Sequence, residues 1–233
     1  MPAGVRDRAV ASAAEAAAAA VDRAVGGILD NAGQVCNAGS RLLVHRSIHD
    51  RFVARFIERA AALYQPGDPL DPATTMGPLV SQAQRANVQA RITRALEQGA
   101  TQVLPPLAAG LNAAGAYVAP TLFTHVRQDM AIVQEETFGP VASVQAFDTE
   151  AEAIALANDS VYGLAASVWT ADLKTAHRMS AALQAGVIWV NCFGDGDMTQ
   201  PFGGYKQSGN SRDKYKDCLL SYMQTKSAWF NLA

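Results

Sequence analysis

Residues 140–191 read PVASVQAFDTEAEAIALANDSVYGLAASVWTADLKTAHRMSAALQAGVIWVN, and this stretch decides the fold. An apolar run after Pro140 reads as a strand. The spacing then predicts a helix at 149–158, a strand at 164–169, a helix at 172–185 and a strand at 187–191. Such alternation implies an α/β domain with a mostly parallel sheet and flanking helices. Upstream, residues 5–30 lack proline, are alanine-rich and keep helical spacing, so one long helix is expected, stopped near Gly33. RLLVHRSI (41–48) reads as a buried strand. DRFVARFIERAAALY (50–64) reads as an amphipathic helix with Phe52, Phe56, Ala60 and Leu63 on one face. The four prolines and two glycines of 66–78 mark a loop. A helix at 81–98 follows, with Ser81 as N-cap and Gly99 as its stop. TQVL (101–104) reads as a short strand and 105–120 as a Pro/Gly/Ala loop. Downstream lie a glycine-rich turn, PFGGYKQSG (201–209), and a tail ending in an apolar strand, Met223 to Leu232. No repeat or low-complexity linker interrupts this course.

Composition narrows the function. The 233 residues carry 19 basic and 21 acidic side chains, a formal charge of -2, which excludes a basic nucleic-acid platform. Charged residues are 17% and hydrophobic ones 49%, so little polar cover is available: either an unusual share of apolar surface is buried or some of it meets a partner. No apolar stretch is long enough to span a membrane, and Glu15 and Asp22 bracket the Ala16–Ala20 run, which reads as helix rather than signal peptide. Cys36, Cys192 and Cys218 form an odd, widely spaced set without a CxxC. They fit reduced thiols and a cytoplasmic location better than a disulfide framework or a zinc site.

Cys36 sits among small residues, Ala32, Gly33, Ala38, Gly39 and Ser40. Such a loop lets a substrate approach the sulfur and offers backbone N–H groups to an oxyanion, as a nucleophilic cysteine requires. The alternative is a buried structural cysteine. Glu135-Glu136, ahead of Thr137-Phe138-Gly139-Pro140, is either a ligand contact or a solvated charge pair. Phe202 beside two glycines is either an aromatic pocket wall or part of a surface turn. The four histidines show no metal spacing, and no metal is expected.

Together and in order, NAGQVCNAGSRLLVHRSI, GDPLDPATTMGPLVS, EETFGPV, ANDSVYGLAASVWT and WVNC followed by PFGGYKQSG resemble the NAD(P)-dependent aldehyde dehydrogenase superfamily, over roughly residues 20–230. The resemblance implies that the Cys36 thiolate attacks an aldehyde carbon. The oxyanion rests on the Cys36 N–H and an asparagine amide, hydride leaves for the nicotinamide, and a thioester is hydrolysed by glutamate-activated water. It also implies that Glu136 binds the nicotinamide ribose, Phe138 packs beside the nicotinamide, Phe202 lines the substrate tunnel and Asn191 supports the reacting centre. NCFGDGDMTQPFGGYKQSGN with Arg212-Asp213-Lys214 resembles the amino-aldehyde branch. There Asp195 and Asp197 either attract a protonated amine or are two solvated loop carboxylates.

The resemblance also places the family's Glu-Leu-Gly-Gly-Lys-like motif near Pro2, where nothing similar stands. Before Cys36 the acidic residues are Asp7, Glu15, Asp22 and Asp30. The expectation is therefore a catalytic domain at 1–209, with its N-terminal helix at about 5–30, and an oligomerisation tail at 210–233, without the glutamate base or the cofactor-binding domain. NAD or NADP would serve the full-length family and not be bound by this chain alone. A small aldehyde is the expected substrate. The expected partner is a further copy of the chain or a separate cofactor-domain chain, with neither nucleic acid nor membrane involved. The alternatives are a non-catalytic, self-associating remnant or a weak cysteine esterase. Gln224 replaces a tail glutamate, which would leave Arg212 short of a partner.

Overall fold

The computed structural model describes residues 19–104 and 114–233. Asp7, Glu15 and the first part of the expected N-terminal helix lie outside them, as does the middle of the 105–120 loop. The first helix, α1, covers 19–29 of the described residues. Val21, Val25, Ile28 and Leu29 are buried on it, a helical stripe of one face. It is followed by a 3-10 turn, Asp30–Gly33, in which Asn31, Ala32 and Gly33 all take positive φ. The chain therefore stops where the sequence places the stop.

A four-stranded sheet forms the middle layer. Its strands are β1 (Arg41–His45), β2 (Thr101–Gln102), β3 (Thr121–Thr124) and β4 (Val141–Phe147), in the order β1-β4-β3-β2. β4 pairs in parallel with both β1 and β3, and β2 runs antiparallel at the edge. The sheet is covered on both faces, so β3 is buried throughout and β4 over its first four residues, Val141–Val144. Leu122, Ala142 and Val144 face α1 and α2 (His49–Leu63). Phe123 and Val141, which alternate with them, face α3 (Gln82–Glu97) and α4 (Ala131–Gln134). An Arg59–Asp22 ion pair of 2.6 Å ties α2 to α1. Ser81 caps α3, its hydroxyl accepting from Gln84 N–H at 3.1 Å.

The second half of the alternation, after α5 (Glu150–Asn158), builds separate ladders. β6 (Ala165–Val168) and β7 (Val187–Val190) pair in parallel around α6 (Leu173–Ala182), and β5 (Tyr162–Gly163) pairs antiparallel with β8 (Tyr205–Lys206). The strands are therefore divided among three sheets. At Gly186 an added Cβ would lie 1.8 Å from the Gly203 carbonyl oxygen, so the second-half segments pack backbone to backbone.

Several bounds differ from expectation. β1 ends at His45, whose ring accepts from Ser47 N–H and folds 46–48 into a 3-10 turn. Leu63 is exposed while Phe56 and Ala60 are buried, so the buried face of α2 does not reach its last residue. α6 stops early because the Asn158 side chain takes both the Ala182 carbonyl and the Gln184 N–H. The tail forms a 3-10 turn, Lys216–Tyr222, and 223–233 makes no strand. A β-strand needs a ladder partner, and none of the described residues supplies one.

Candidate active site

The loop from Asn31 to Ser40 links α1 to β1 and carries Cys36 at its tip. Both its ends are fixed. Asn31 and Gln34 bond to each other's carbonyl oxygens, Val80 N–H donates to Gln34 Oε1 at 3.0 Å, and Gly39 N–H donates to the Gly27 carbonyl at 2.9 Å. Small residues there leave the cysteine uncovered, and Cys36 is exposed. Among the described residues nothing buries it. The Cys36 N–H donates to no acceptor among the described residues.

Two other segments close on this loop. Gly33 meets the EETFGP turn so closely that a Cβ there would lie 2.0 Å from the Gly139 oxygen. On the other side the Phe193 ring fills the notch left by two glycines: an added Cβ would meet it at 3.0 Å from Gly27 and 3.5 Å from Gly39. Phe193 in turn stacks on Trp189, at 5.1 Å between ring centroids, and the Trp189 indole N–H donates to the Asp195 carbonyl at 2.7 Å. The cysteine loop is thus packed against Gly139 of the EETFGP turn through Gly33 and against Phe193 through Gly39. Phe193 is the contact that sequence reasoning missed. Its only signal was a pair of glycines twelve residues apart on an unrelated part of the chain.

Within the turn the two glutamates diverge. Glu135 is held by Arg91 at 2.8 Å and Arg94 at 3.0 Å, and its carboxyl lies below the usual range, chiefly through the Arg91 hydrogen bond. Glu136 is exposed and makes no hydrogen bond or ion pair among the described residues. Phe138 takes φ 52° and is 40% exposed, a bulky ring turned outward by a left-handed backbone. An accessible carboxylate can accept from hydroxyl groups and an exposed ring can pack against a planar group, chemistry compatible with the nicotinamide riboside end of NAD(P).

Asn191, also at positive φ, uses its carboxamide to bridge Thr170, accepting from the N–H and donating to the carbonyl at 2.9 Å each. It fixes the start of the Cys192–Phe193 segment. Asp197 accepts from the N–H and hydroxyl of Thr199, and the hydroxyl bond keeps its carboxyl below the usual range. Partial burial, followed by the Asp195 carboxylate, pushes the Cys192 thiol above its ordinary value. Phe202 pairs with Asp213 through backbone hydrogen bonds, and the Lys214 ammonium lies 5.7 Å from its ring centre. A lysine thus already stands at the aromatic face expected for a cationic substrate. Arg212, expected to lack a partner, donates to the Gly204 and Ser211 carbonyls at 2.8 and 2.9 Å and lies 5.6 Å from the Tyr205 ring centre. Backbone acceptors and the ring take the place of the tail carboxylate.

Neither described acidic residue before Cys36 is free. Asp22 is bound to Arg59, and Asp30 accepts from the Tyr64 hydroxyl, whose own ionisation is pushed up by burial and then by Asp30. No metal-holding cluster exists among the described residues, and none of the helices among them is long and apolar enough to cross a membrane.

An exposed cysteine thus lies on a loop whose Gly33 packs against Gly139, at the end of the turn that carries an unpaired glutamate and an exposed phenylalanine. Residues 3–228 match the aldehyde dehydrogenase family, and the chain belongs to it. It is 49% identical over 206 residues to the NADP/NAD-dependent aldehyde dehydrogenase PuuC of Escherichia coli K12, covering 88% of this chain and 41% of that protein. It is 43% identical to the betaine aldehyde dehydrogenase of Brucella anthropi, covering 91% of this chain and 45% of that one. Among solved structures, an indole-3-acetaldehyde dehydrogenase in complex with NAD+ superposes with a TM-score of 0.87 at 50% identity, covering 93% of this chain and 43% of that one. The chain spans less than half the length of the curated relatives it matches.

Proposed function

We propose that this chain supplies the nucleophile and the nicotinamide-facing side of a site that oxidises an aldehyde to a carboxylic acid. The observation that carries the reading is the exposed Cys36, with its unengaged N–H, on a loop whose Gly33 packs against Gly139 and whose Gly39 packs against Phe193. The Cys36 thiolate attacks the carbonyl carbon, and the developing oxyanion accepts from the Cys36 N–H. Cys36 then holds the carbon as a thiohemiacetal and, after oxidation, as a thioester that water opens. NAD or NADP supplies the two-electron acceptor when bound. Glu136 would hold its ribose hydroxyls and Phe138 would pack beside the ring. Asn191 acts by holding the Cys192–Phe193 segment against the cysteine loop.

The substrate reading is an amine-derived aldehyde. The names of the betaine aldehyde dehydrogenases support it, since betaine aldehyde carries a cationic nitrogen. Asp195, Asp197 and Phe202 would receive that cation, with Lys214 displaced from the ring. The tail from Met223 onward is read as an association strand that pairs with a further copy of the chain.

Because the chain spans less than half of its relatives, turnover is expected to need the remaining length of the fold. Purified chain with NAD and an aldehyde should form no NADH. Adding a polypeptide that carries the remaining part should start NADH formation, and Cys36→Ser should abolish it. NADH production by the chain alone, or by a mixture containing Cys36→Ser, would contradict this division of labour.

A further inference from the structure

The EETFGP turn carries two adjacent glutamates that the structure treats in opposite ways. Building on the reading of Glu136 and Phe138 as cofactor-facing, we propose that Glu135, bound by Arg91 and Arg94 of α3, is a positioning residue that sets this turn. The Glu135 carboxylate gives one oxygen to each arginine, Oε2 to Arg91 and Oε1 to Arg94. On the far side of the turn Gln84 Nε2 donates to the Thr137 carbonyl at 3.2 Å and the Phe138 carbonyl at 2.8 Å. Between these anchors Gly139 lies against Val88, so closely that a Cβ would meet Val88 Cγ2 at 2.7 Å. Gln84, Val88 and Arg91 are spaced i, i+4, i+7, so a single face of α3 grips the turn from end to end.

The grip has a purpose in the local physics. A phenylalanine at φ 52° is in a sparsely populated conformation, which persists only where its surroundings over-determine it. Released at the Glu135 end, the turn can relax toward extended backbone. That would draw Phe138 inward and swing Glu136 away from its exposed position. Glu135 therefore does not meet a ligand; it fixes where its neighbour points.

Native-state cleavage by a Glu-specific endoproteinase reads this directly, because Glu136–Thr137 is itself a cleavable bond. Arg91→Ala combined with Arg94→Ala leaves the sequence around that bond untouched. It is expected to raise cleavage after Glu136 by roughly three- to tenfold, with cleavage after Glu58 and Glu97 unchanged. Arg91→Lys should restore most of the protection. The readout needs neither cofactor nor turnover, so a failure of the proposed reaction leaves this result standing on its own. Unchanged cleavage after Glu136, a rise shared equally by Glu58 and Glu97, or no rescue by Arg91→Lys would overturn the proposal.

Discussion

Gly33→Ala is expected to destabilise the chain by ~2–4 kcal/mol and to disorganise the cysteine loop. Two effects act together. The residue sits at φ +71°, a conformation an L side chain rarely adopts, and its new Cβ would lie 2.0 Å from the Gly139 oxygen and 2.8 Å from the Pro140 nitrogen. Those neighbours are backbone atoms of a buried segment, so no flexible side-chain end can yield. Nor can Gly139 retreat, because Val88 stands behind it. The strain must move either the Cys36 loop or the Glu136–Phe138 turn, the two parts whose apposition makes the site. Gly99→Ala is the control: it shares the positive φ, at +94°, with nothing within 4 Å of the added atom. It should cost only the backbone share, ~1 kcal/mol. Denaturant midpoints measure both, and equal losses would show that the close approach contributes nothing.

Truncation before Met223 is expected to convert a self-associating chain into a monomer. Trp229, Phe230 and Leu232 are 95%, 85% and 94% exposed, and Tyr222 and Met223 are exposed beside them. Apart from the Met223 N–H, which donates to the Leu220 carbonyl, and the Ala233 N–H, which donates to Asn231 Oδ1, the backbone from 223 to 233 makes no hydrogen bond among the described residues, so apolar side chains and unpaired N–H and C=O groups coincide on one segment. Burial contributes about 25 cal/mol per Å², so covering roughly several hundred Å² gives a drive of order ten kcal/mol before the cost of association. Light scattering at micromolar concentration should show a mass above 24.6 kDa for the full chain and a concentration-independent mass below 24.6 kDa after truncation. A full chain that stays at 24.6 kDa at every concentration would contradict the tail's role.

Much of the α/β frame was legible because it rests on local signals. Ser81 and Thr149 announce their helices by side-chain caps, and the VASV run before Phe147 is apolar on both faces because both faces of β4 are covered. α4 was not legible, since four residues carry too little periodicity to distinguish from a loop. The division of the strands into separate ladders was hidden too. It depends on backbone contacts such as Gly186 against Gly203, which leave no pattern in the sequence. At the proposed site, Cys36, Glu136 and Phe138 were singled out from ordered motifs, and the structure packs Gly33 of the cysteine loop on Gly139 of the turn. The opposite fates of Glu135 and Glu136 could not be read. They are set by Arg91 and Arg94, more than forty residues away. Phe193 escaped for the same reason, because its place depends on Gly27 and Gly39 meeting in space.

The central claim is that Cys36 is the reactive thiol of this chain, and competitive alkylation of the folded protein tests it most directly. Cys36 is exposed, whereas burial and Asp195 push the Cys192 thiol up, so at a given pH less of Cys192 is thiolate. Iodoacetamide at neutral pH, followed by peptide mapping, should therefore modify Cys36 well ahead of Cys192 and Cys218, with Cys192 gaining only as pH rises. Equal modification of all three thiols, or Cys192 reacting first, would contradict the account.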